Sequence, residues 1–303
     1  MKKLSTYTLL SACLLALTFS FTSCKKEGCT DAQATNYDEK AKDDDGSCQY
    51  DTPPTTSTMP VTTDLTEVGK GYAVGAETEI KVYAKEALFN GYNYLYIATF
   101  DSASGKWMND GHVTLEPVMD MGHMSHGTPV ENPSSSTPDS KTGLYAAQVV
   151  FVMPSMGGTW MLKVHYHNHD NGKEGEAMIP ITVASASNRL VQSFVAADDS
   201  SRIFVSYVLP SAPMVGVNDM EVTAHYRKNM MEHEALTDLE IEITPDMPSM
   251  GHGSPNNVHP THTSQGHYVG KVNYTMTGLW RITLVVKRNG QVIGENIWFE
   301  YTL

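Results

Sequence analysis

The chain has 303 residues, 41% of them hydrophobic, and a formal net charge of −13 at pH 7. This length suffices for two domains of ordinary size plus shorter segments. Because the chain is so acidic, it has no electrostatic basis for binding nucleic acid or an anionic bilayer surface. We therefore expect no nucleic-acid partner.

Residues 1–23 are predicted to be a lipoprotein signal peptide. Lys2 and Lys3 precede an apolar run, residues 9–21, that is too short to span a bilayer comfortably. The run ends in Phe-Thr-Ser-Cys24, which resembles a bacterial lipobox and implies that Cys24 is acylated as the first mature residue. The alternative is ordinary cleavage nearby, which leaves Cys24 as a free thiol. We expect an envelope protein anchored by lipid to a membrane, at the periplasmic face of the outer membrane or at the cell surface.

Residues 24–50 are predicted to form a small disulfide module. Of the four cysteines, Cys13 leaves with the signal and Cys24 carries lipid, so Cys29 and Cys48 remain to pair. The Cys-Thr-Asp opening, Ala-Thr-Asn-Tyr centre and Asp-Asp-Gly-Ser-Cys close resemble a module of Bacteroidetes surface proteins. Its acidic segment, residues 31–45, either offers oxygen ligands to Ca²⁺ or is a solvated turn. The candidate ligands are Asp31, Asn36, Asp38, Asp43, Asp44 and Asp45.

Residues 51–70 are rich in Thr, Pro and Ser and are predicted to be an extended linker. Beyond it, short runs of β-branched and aromatic residues alternate with Gly, Pro, Asn and Asp, and no long stretch has helical periodicity. The runs are 80–83, 94–100, 149–152, 160–166 and 179–183, then 203–209, 221–226, 239–243, 268–274, 280–286 and 297–301. This pattern predicts an all-β fold with two tandem antiparallel β-sandwiches, residues 71–185 and 190–303.

The two series of strands are copies of one another. Met121, Met124, His126, Gly127 and Pro129 align at one constant offset with Met247, Met250, His252, Gly253 and Pro255. Residues 143–145 correspond to 266–268, and residues 156–160 to 276–280. Duplication is the simplest account, and it places a Met/His loop between two strands in each half.

These loops are the candidate metal sites. The ligand-capable residues are Met247, Met250, His252, His259 and His262 in the second loop, and Met119, Met121, His123, Met124 and His126 in the first. Thioether and imidazole together suit copper, above all Cu(I), whereas thioethers are weak ligands for Zn²⁺. The alternatives are methionines that plug the sandwich ends and histidines on a solvated loop. On one strand face, a separate ladder of His165, His167 and His169 would bind divalent ions either at a dedicated site or adventitiously.

The second half also carries a family resemblance. Met-Pro-Ser-Met-Gly-His-Gly, then Gly-His-Tyr-Val-Gly and Met-Thr-Gly-Leu-Trp-Arg-Ile-Thr-Leu, resembles the YtkA-like domain, akin to FixH-type domains. The resemblance is clear over residues 236–301 and weaker over 112–183. It implies an Ig-like fold, export or membrane association, and a link with copper handling or respiratory-oxidase biogenesis.

Together these observations predict a copper-binding lipoprotein that acts as chaperone, buffer or sensor, with a copper-accepting or efflux protein as partner. We expect no enzyme, because no nucleophile motif, catalytic acid/base pair or nucleotide loop is present. The alternative is a non-catalytic Ig-like structural or adhesion module without a specific metal.

Overall fold

The computed structural model describes residues 26–31, 34–49 and 60–303. These residues belong to two compact units, one before residue 58 and one from there to Leu303. The predicted signal peptide, Cys24 and the first nine residues of the predicted linker, 51–59, lie outside the described residues. Within the described ranges, no helix is long and apolar enough to cross a membrane.

The N-terminal unit contains the predicted disulfide between Cys29 and Cys48. Two short strands, β1 (Glu27–Gly28) and β2 (Asp43–Asp44), pair in parallel beside it. This unit buries almost no apolar surface, because Cys29 and Ala34 are the only apolar residues buried among those described there. The disulfide therefore has to supply order that a hydrophobic core supplies elsewhere.

The larger unit is built from β-strands in antiparallel sheets, which confirms the predicted fold class. Ten strands form a first sandwich: β3 (Thr66–Ala73), β4 (Thr78–Ala84), β5 (Gly91–Asp101), β6 (Trp107–Met108), β7 (Gly111–Asp120), β8 (Ser125–His126), β9 (Val130–Glu131), β10 (Tyr145–Phe151), β11 (Thr159–Asn168) and β12 (Lys173–Ile181). One sheet has the order β3-β4-β5-β10-β9 with β6 on β5, and the other has the order β12-β11-β7-β8. Two single 3₁₀ turns, Val74–Ala76 and Ser155–Gly157, lie in its loops.

Ten further strands repeat this arrangement in a second sandwich: β13 (Val191–Val195), β14 (Arg202–Val208), β15 (Gly216–Arg227), β16 (His233–Ala235), β17 (Leu239–Met247), β18 (His252–Gly253), β19 (Val258–Ser264), β20 (His267–Tyr274), β21 (Leu279–Arg288) and β22 (Gln291–Thr302). Its sheets have the orders β13-β14-β15-β20-β19, with β16 on β15, and β18-β17-β21-β22. The matching strand orders are what a duplicated domain predicts.

Each sandwich encloses its own apolar core between its two sheets. On β11, Trp160, Leu162, Val164 and Tyr166 point inward and the residues between them are only partly buried. Side chains on a strand alternate between the two faces, so this period-2 pattern is the signal that made the strand predictable. In the second sandwich Trp280 starts the corresponding inward row.

The predicted linker extends too far into the first sandwich. Strand β3 begins at Thr66, inside the range 51–70, and pairs with β4. Val68 packs against the core, and Gly69 lies so close to Ile179 that a Cβ there would sit 2.7 Å from its Cγ2 atom. Glycines at positions 69 and 71 interrupt the apolar alternation of this strand, so composition alone misplaced this boundary.

The two sandwiches contact one another through a seam. One side is formed by Tyr92, Gly127, Glu131 and Val150, and the other by Val208, Met230, Met231 and His267. Tyr92, Val150 and Val208 share one buried apolar cluster. At Gly127 the backbones meet directly, because its N–H donates to the carbonyl oxygen of Met230 at 2.8 Å.

Candidate metal site

Both Met/His loops are hairpins that place a buried methionine opposite a histidine. In the first sandwich Met119 pairs with His126, and β11 places Trp160 on the other side of Met119. In the second sandwich Met247 pairs with His252. Met119 and Met247 are both buried in their cores. Each histidine is therefore held opposite a buried methionine, and its ring contacts a tryptophan ring, Trp160 in the first sandwich and Trp280 in the second.

In the first sandwich this histidine meets a thioether. The Nε2 atom of His126 lies 3.3 Å from the Sδ atom of Met153, and its Nδ1 atom lies 2.8 Å from the carbonyl oxygen of Gly127. A carbonyl oxygen only accepts, so Nδ1 carries the proton and donates to it. In the neutral ring Nε2 then has a free lone pair directed at a sulfur that also has one. A carbonyl partner on the second ring nitrogen is the usual arrangement of a metal-ligating histidine.

The surroundings fix this pair in place. The indole Nε1 of Trp160 donates to the carbonyl oxygen of Met153 at 3.0 Å, and the Trp160 ring stands at 90° to the His126 ring with 5.6 Å between centroids. The methyl groups of Met119 and Met153 both flank Gly157. Met121 is half-buried and packs against the same core. Three thioethers and one imidazole thus belong to one end of the first sandwich.

The separation of the two atoms fits a shared ion. With bond lengths of about 2.0–2.1 Å to nitrogen and about 2.3 Å to sulfur, as in four-coordinate zinc, a 3.3 Å N···S distance gives an angle of about 100° at the ion. This is close to tetrahedral. Nitrogen and soft sulfur are ligands that suit Cu(I).

The second sandwich lacks the equivalent contact. The Nε2 atom of His252 lies 3.1 Å from the hydroxyl oxygen of Thr275. Met276 accepts from the indole Nε1 of Trp280 through its backbone, as Met153 does for Trp160, but its side chain is 39% exposed. Met250 is 60% exposed on the hairpin. Met247 and His252 are paired on adjacent strands, and Met250 lies in the turn between them, where its N–H donates to the carbonyl oxygen of Met247 at 3.0 Å while its side chain faces solvent.

The remaining predicted ligands are dispersed. His259 and His262 lie on β19, in the sheet opposite the one that contains His252. The Nδ1 atom of His259 accepts the backbone N–H of Ile243 at 3.0 Å, and the ring of His262 packs edge-on against Tyr268. In the first hairpin, His123 and Met124 are exposed.

Met153 is the residue that the sequence did not identify. The repeat alignment matched Met156 with Met276, but Met156 is 89% exposed, and Met153 makes the tryptophan contact that Met276 makes. A signal was present, because residues 153–156 read Met-Pro-Ser-Met, the same tetrapeptide as residues 247–250. The 3₁₀ turn Ser155–Gly157 adds residues before Trp160 and displaces the alignment.

The exposed histidines of the first sandwich form a separate cluster. The ring of His112 joins those of His167 and His169, with centroids 4.7 to 6.4 Å apart, and the Nδ1 atom of His169 pairs with Asp110 at 2.7 Å. Across residues 26–31, 34–49 and 60–303, no group of three or more His, Cys, Asp or Glu side chains is arranged to hold a metal ion. That finding concerns imidazoles, thiolates and carboxylates, whereas the pair of His126 and Met153 depends on a thioether.

The acidic side chains of the N-terminal unit have local partners. Asp38 pairs with Lys26 at 2.5 Å, and Asp45 accepts the backbone N–H of Ser47 at 2.9 Å. Hydrogen bonds from these neighbours lower the pKa of both carboxyl groups. Calcium binding by residues 31–45 stays a prediction.

Three imidazoles, of His225, His233 and His267, lie at or near the seam and interact with one another. His267 is held between Glu131 at 2.9 Å and Glu221 at 2.6 Å. Burial opposes its charge, but hydrogen bonds and the charges of both glutamates outweigh burial and raise the pKa of His267 to about 9. Burial, assisted by neighbouring charge, lowers the pKa of His225 to about 3 and that of His233 to about 4. One imidazole is therefore charged at neutral pH, and two are neutral.

Comparison with known proteins agrees with the family resemblance in the second sandwich. Residues 200–285 match the model of the YtkA-like family. No curated protein matches the chain. Among solved structures, the D00-D0 domain of Intimin is similar at 12% identity, over 74% of this chain and 100% of that one, with a TM-score of 0.22. So low a score supports no conclusion about fold or function.

Proposed function

We propose that the protein binds one soft metal ion, Cu(I), at the mouth of the first sandwich and carries it as exchangeable cargo. His126 and Met153 are the ligands, and Met119 and Met121, at the same end of the sandwich, are further candidate thioethers. The observation that supports this proposal is the 3.3 Å contact between the Nε2 atom of His126 and the thioether sulfur of Met153, beside the contact of Nδ1 with the carbonyl oxygen of Gly127. In the neutral ring with the proton on Nδ1, Nε2 and the sulfur are both acceptors, and an ion between them would give both lone pairs a partner.

The character of the site favours carriage over catalysis. Copper redox chemistry is usually supported by a thiolate or a rigid histidine cage, and here the ligands are thioethers and one imidazole. Cys29 and Cys48 are joined in a disulfide and offer no thiolate. The acidic chain would concentrate cations near its surface. In this proposal Cys24 anchors the protein by lipid to a membrane of the envelope, and a copper-accepting or efflux protein receives the ion.

The test is an anaerobic Cu(I) titration of the full-length protein against a competing chelator. Parent and variants carry Cys13→Ser and Cys24→Ser, because thiolates would bind Cu(I) themselves. We expect one tight equivalent. Met153→Leu keeps the volume and removes the sulfur, and we expect its affinity to fall at least tenfold, the lower end of what even outer-shell changes cost a metal site.

Met156→Leu is the matched control, because it makes the same change three residues away on an 89% exposed side chain. It should bind like the parent. Equal affinity of Met153→Leu and Met156→Leu would refute the assignment of the site. No uptake by the parent would instead favour the second candidate, a non-catalytic structural or adhesion module of the cell surface.

A further inference from the structure

We infer that His233, from the second sandwich, is a further ligand of the ion held by His126 and Met153, so that the bound ion joins the two sandwiches across the seam. This inference rests on the proposed function and adds a residue that neither Met/His loop contains. His233 begins β16, the short strand at the edge of the second sandwich. Three independent features of the seam point to it.

The backbone brings the two segments together. Gly127, the residue after His126, donates its N–H to the carbonyl oxygen of Met230 at 2.8 Å. It also lies so close to Met231 that a Cβ atom at Gly127 would be 2.1 Å from the Met231 carbonyl oxygen. Met230 and Met231 belong to the turn that leads into His233, so the end of the first site abuts the start of β16.

The ring of His233 has a nitrogen without a partner. Its Nδ1 atom is buried, and among the described residues no group forms a hydrogen bond with it. Buried polar atoms are nearly always paired, so an unpaired one calls for a ligand or another physical reason. The ring packs edge-on against Phe204 at 5.3 Å between centroids, a contact that an apolar side chain would make without leaving a nitrogen unpaired.

The third feature is proximity. The imidazoles of His126 and His233 lie near enough across the seam for their charges to interact.

The second sandwich offers no such neighbour to His252, whose Nε2 atom contacts the hydroxyl of Thr275. The two copies of the hairpin thus differ in what surrounds the histidine ring. The first copy has a thioether at the imidazole and a second sandwich against it.

The test is nuclear magnetic resonance of full-length protein labelled with ring-¹⁵N histidine, in the Cys13→Ser and Cys24→Ser background, before and after one equivalent of Cu(I). Of the twelve histidines, we expect the Nε2 resonance of His126 and the Nδ1 resonance of His233 to shift together. His126→Gln and His233→Gln assign the two signals. A shift of His126 alone overturns the inference and leaves the proposed function standing, whereas no shift at either overturns both.

Affinity gives a second measurement. His233→Gln should weaken Cu(I) binding at least tenfold. His165→Gln is the matched control, because His165 lies on the outer face of β11 beside Glu174 and away from the seam. Unchanged affinity in His233→Gln, with circular dichroism like that of the parent, would refute the inference even if the spectra were ambiguous.

Discussion

The seam depends on a glycine at position 127, and Gly127→Ala is the sharpest perturbation of it. The added Cβ would lie 2.1 Å from the carbonyl oxygen and 2.9 Å from the carbonyl carbon of Met231. These are backbone atoms, so no flexible side chain can move aside. We expect about 1–3 kcal/mol of overpacking, and about 0.5–1.5 kcal/mol more if the Gly127–Met230 hydrogen bond is lost.

The duplication supplies the control. Gly253 follows His252 as Gly127 follows His126, but a Cβ at Gly253 would meet only the Pro245 carbonyl oxygen at 3.8 Å, an ordinary contact. Gly253→Ala should therefore change the free energy of unfolding by less than about 0.5 kcal/mol. The free energy of unfolding of each variant is measured by urea denaturation, followed by circular dichroism and tryptophan fluorescence. Equal stability of the two variants would show that the backbones do not meet at Gly127 in solution.

Three other changes have expected outcomes of their own. Because the pKa of His267 in the folded protein, about 9, exceeds its ordinary value of about 6.5, its ion pairs stabilise the fold fully below pH 6.5 and are lost as the pH rises through 9. The free energy of unfolding in urea should fall by at most about 3 kcal/mol over that pH range. In Glu131→Gln, which removes one ion pair, the fall should be smaller. An equal fall in the variant and the parent would contradict this. Reduction of the Cys29–Cys48 disulfide should cost the N-terminal unit about 3 kcal/mol and accelerate its amide hydrogen exchange, and unchanged exchange would show that the disulfide is dispensable. Met250→Leu should leave the Cu(I) affinity within about twofold of the parent's, because the side chain is 60% exposed and lies in the second sandwich, whereas the proposed ligands lie in the first. A larger loss would restore the second loop as the main site.

Much of the fold was predictable because the buried strands alternate. Residues 160–166 and 280–286 were predicted as strands and lie within β11 and β21. Two-residue strands such as β8 and β18 carry no periodicity, and only their pairing defines them. The start of β3 was missed for a different reason, because glycines interrupt its apolar pattern.

The proposed site uses the ligand types that the sequence suggested, thioether and imidazole, but places them in the other sandwich. The sequence favoured Met247, Met250 and His252, because that loop has the clearer family motif. A constant offset also aligned Met121 with Met247, whereas pairing makes Met119 the partner of His126 and Met247 that of His252. The first hairpin has two more residues between methionine and histidine, a difference that alignment of identical letters hides.

The proposed contribution of the second sandwich could not be inferred from the sequence. His233 has no local motif, and its relation to His126 exists only because the sandwiches meet at Gly127. A site divided between two bodies couples metal binding to their docking, and such coupling is reciprocal. If ion binding stabilises the seam, then a change that opens the seam weakens ion binding by the same free energy. Gly127→Ala should accordingly lose Cu(I) affinity although it removes no ligand, and an acceptor that parts the sandwiches would release the ion without competing for its ligands.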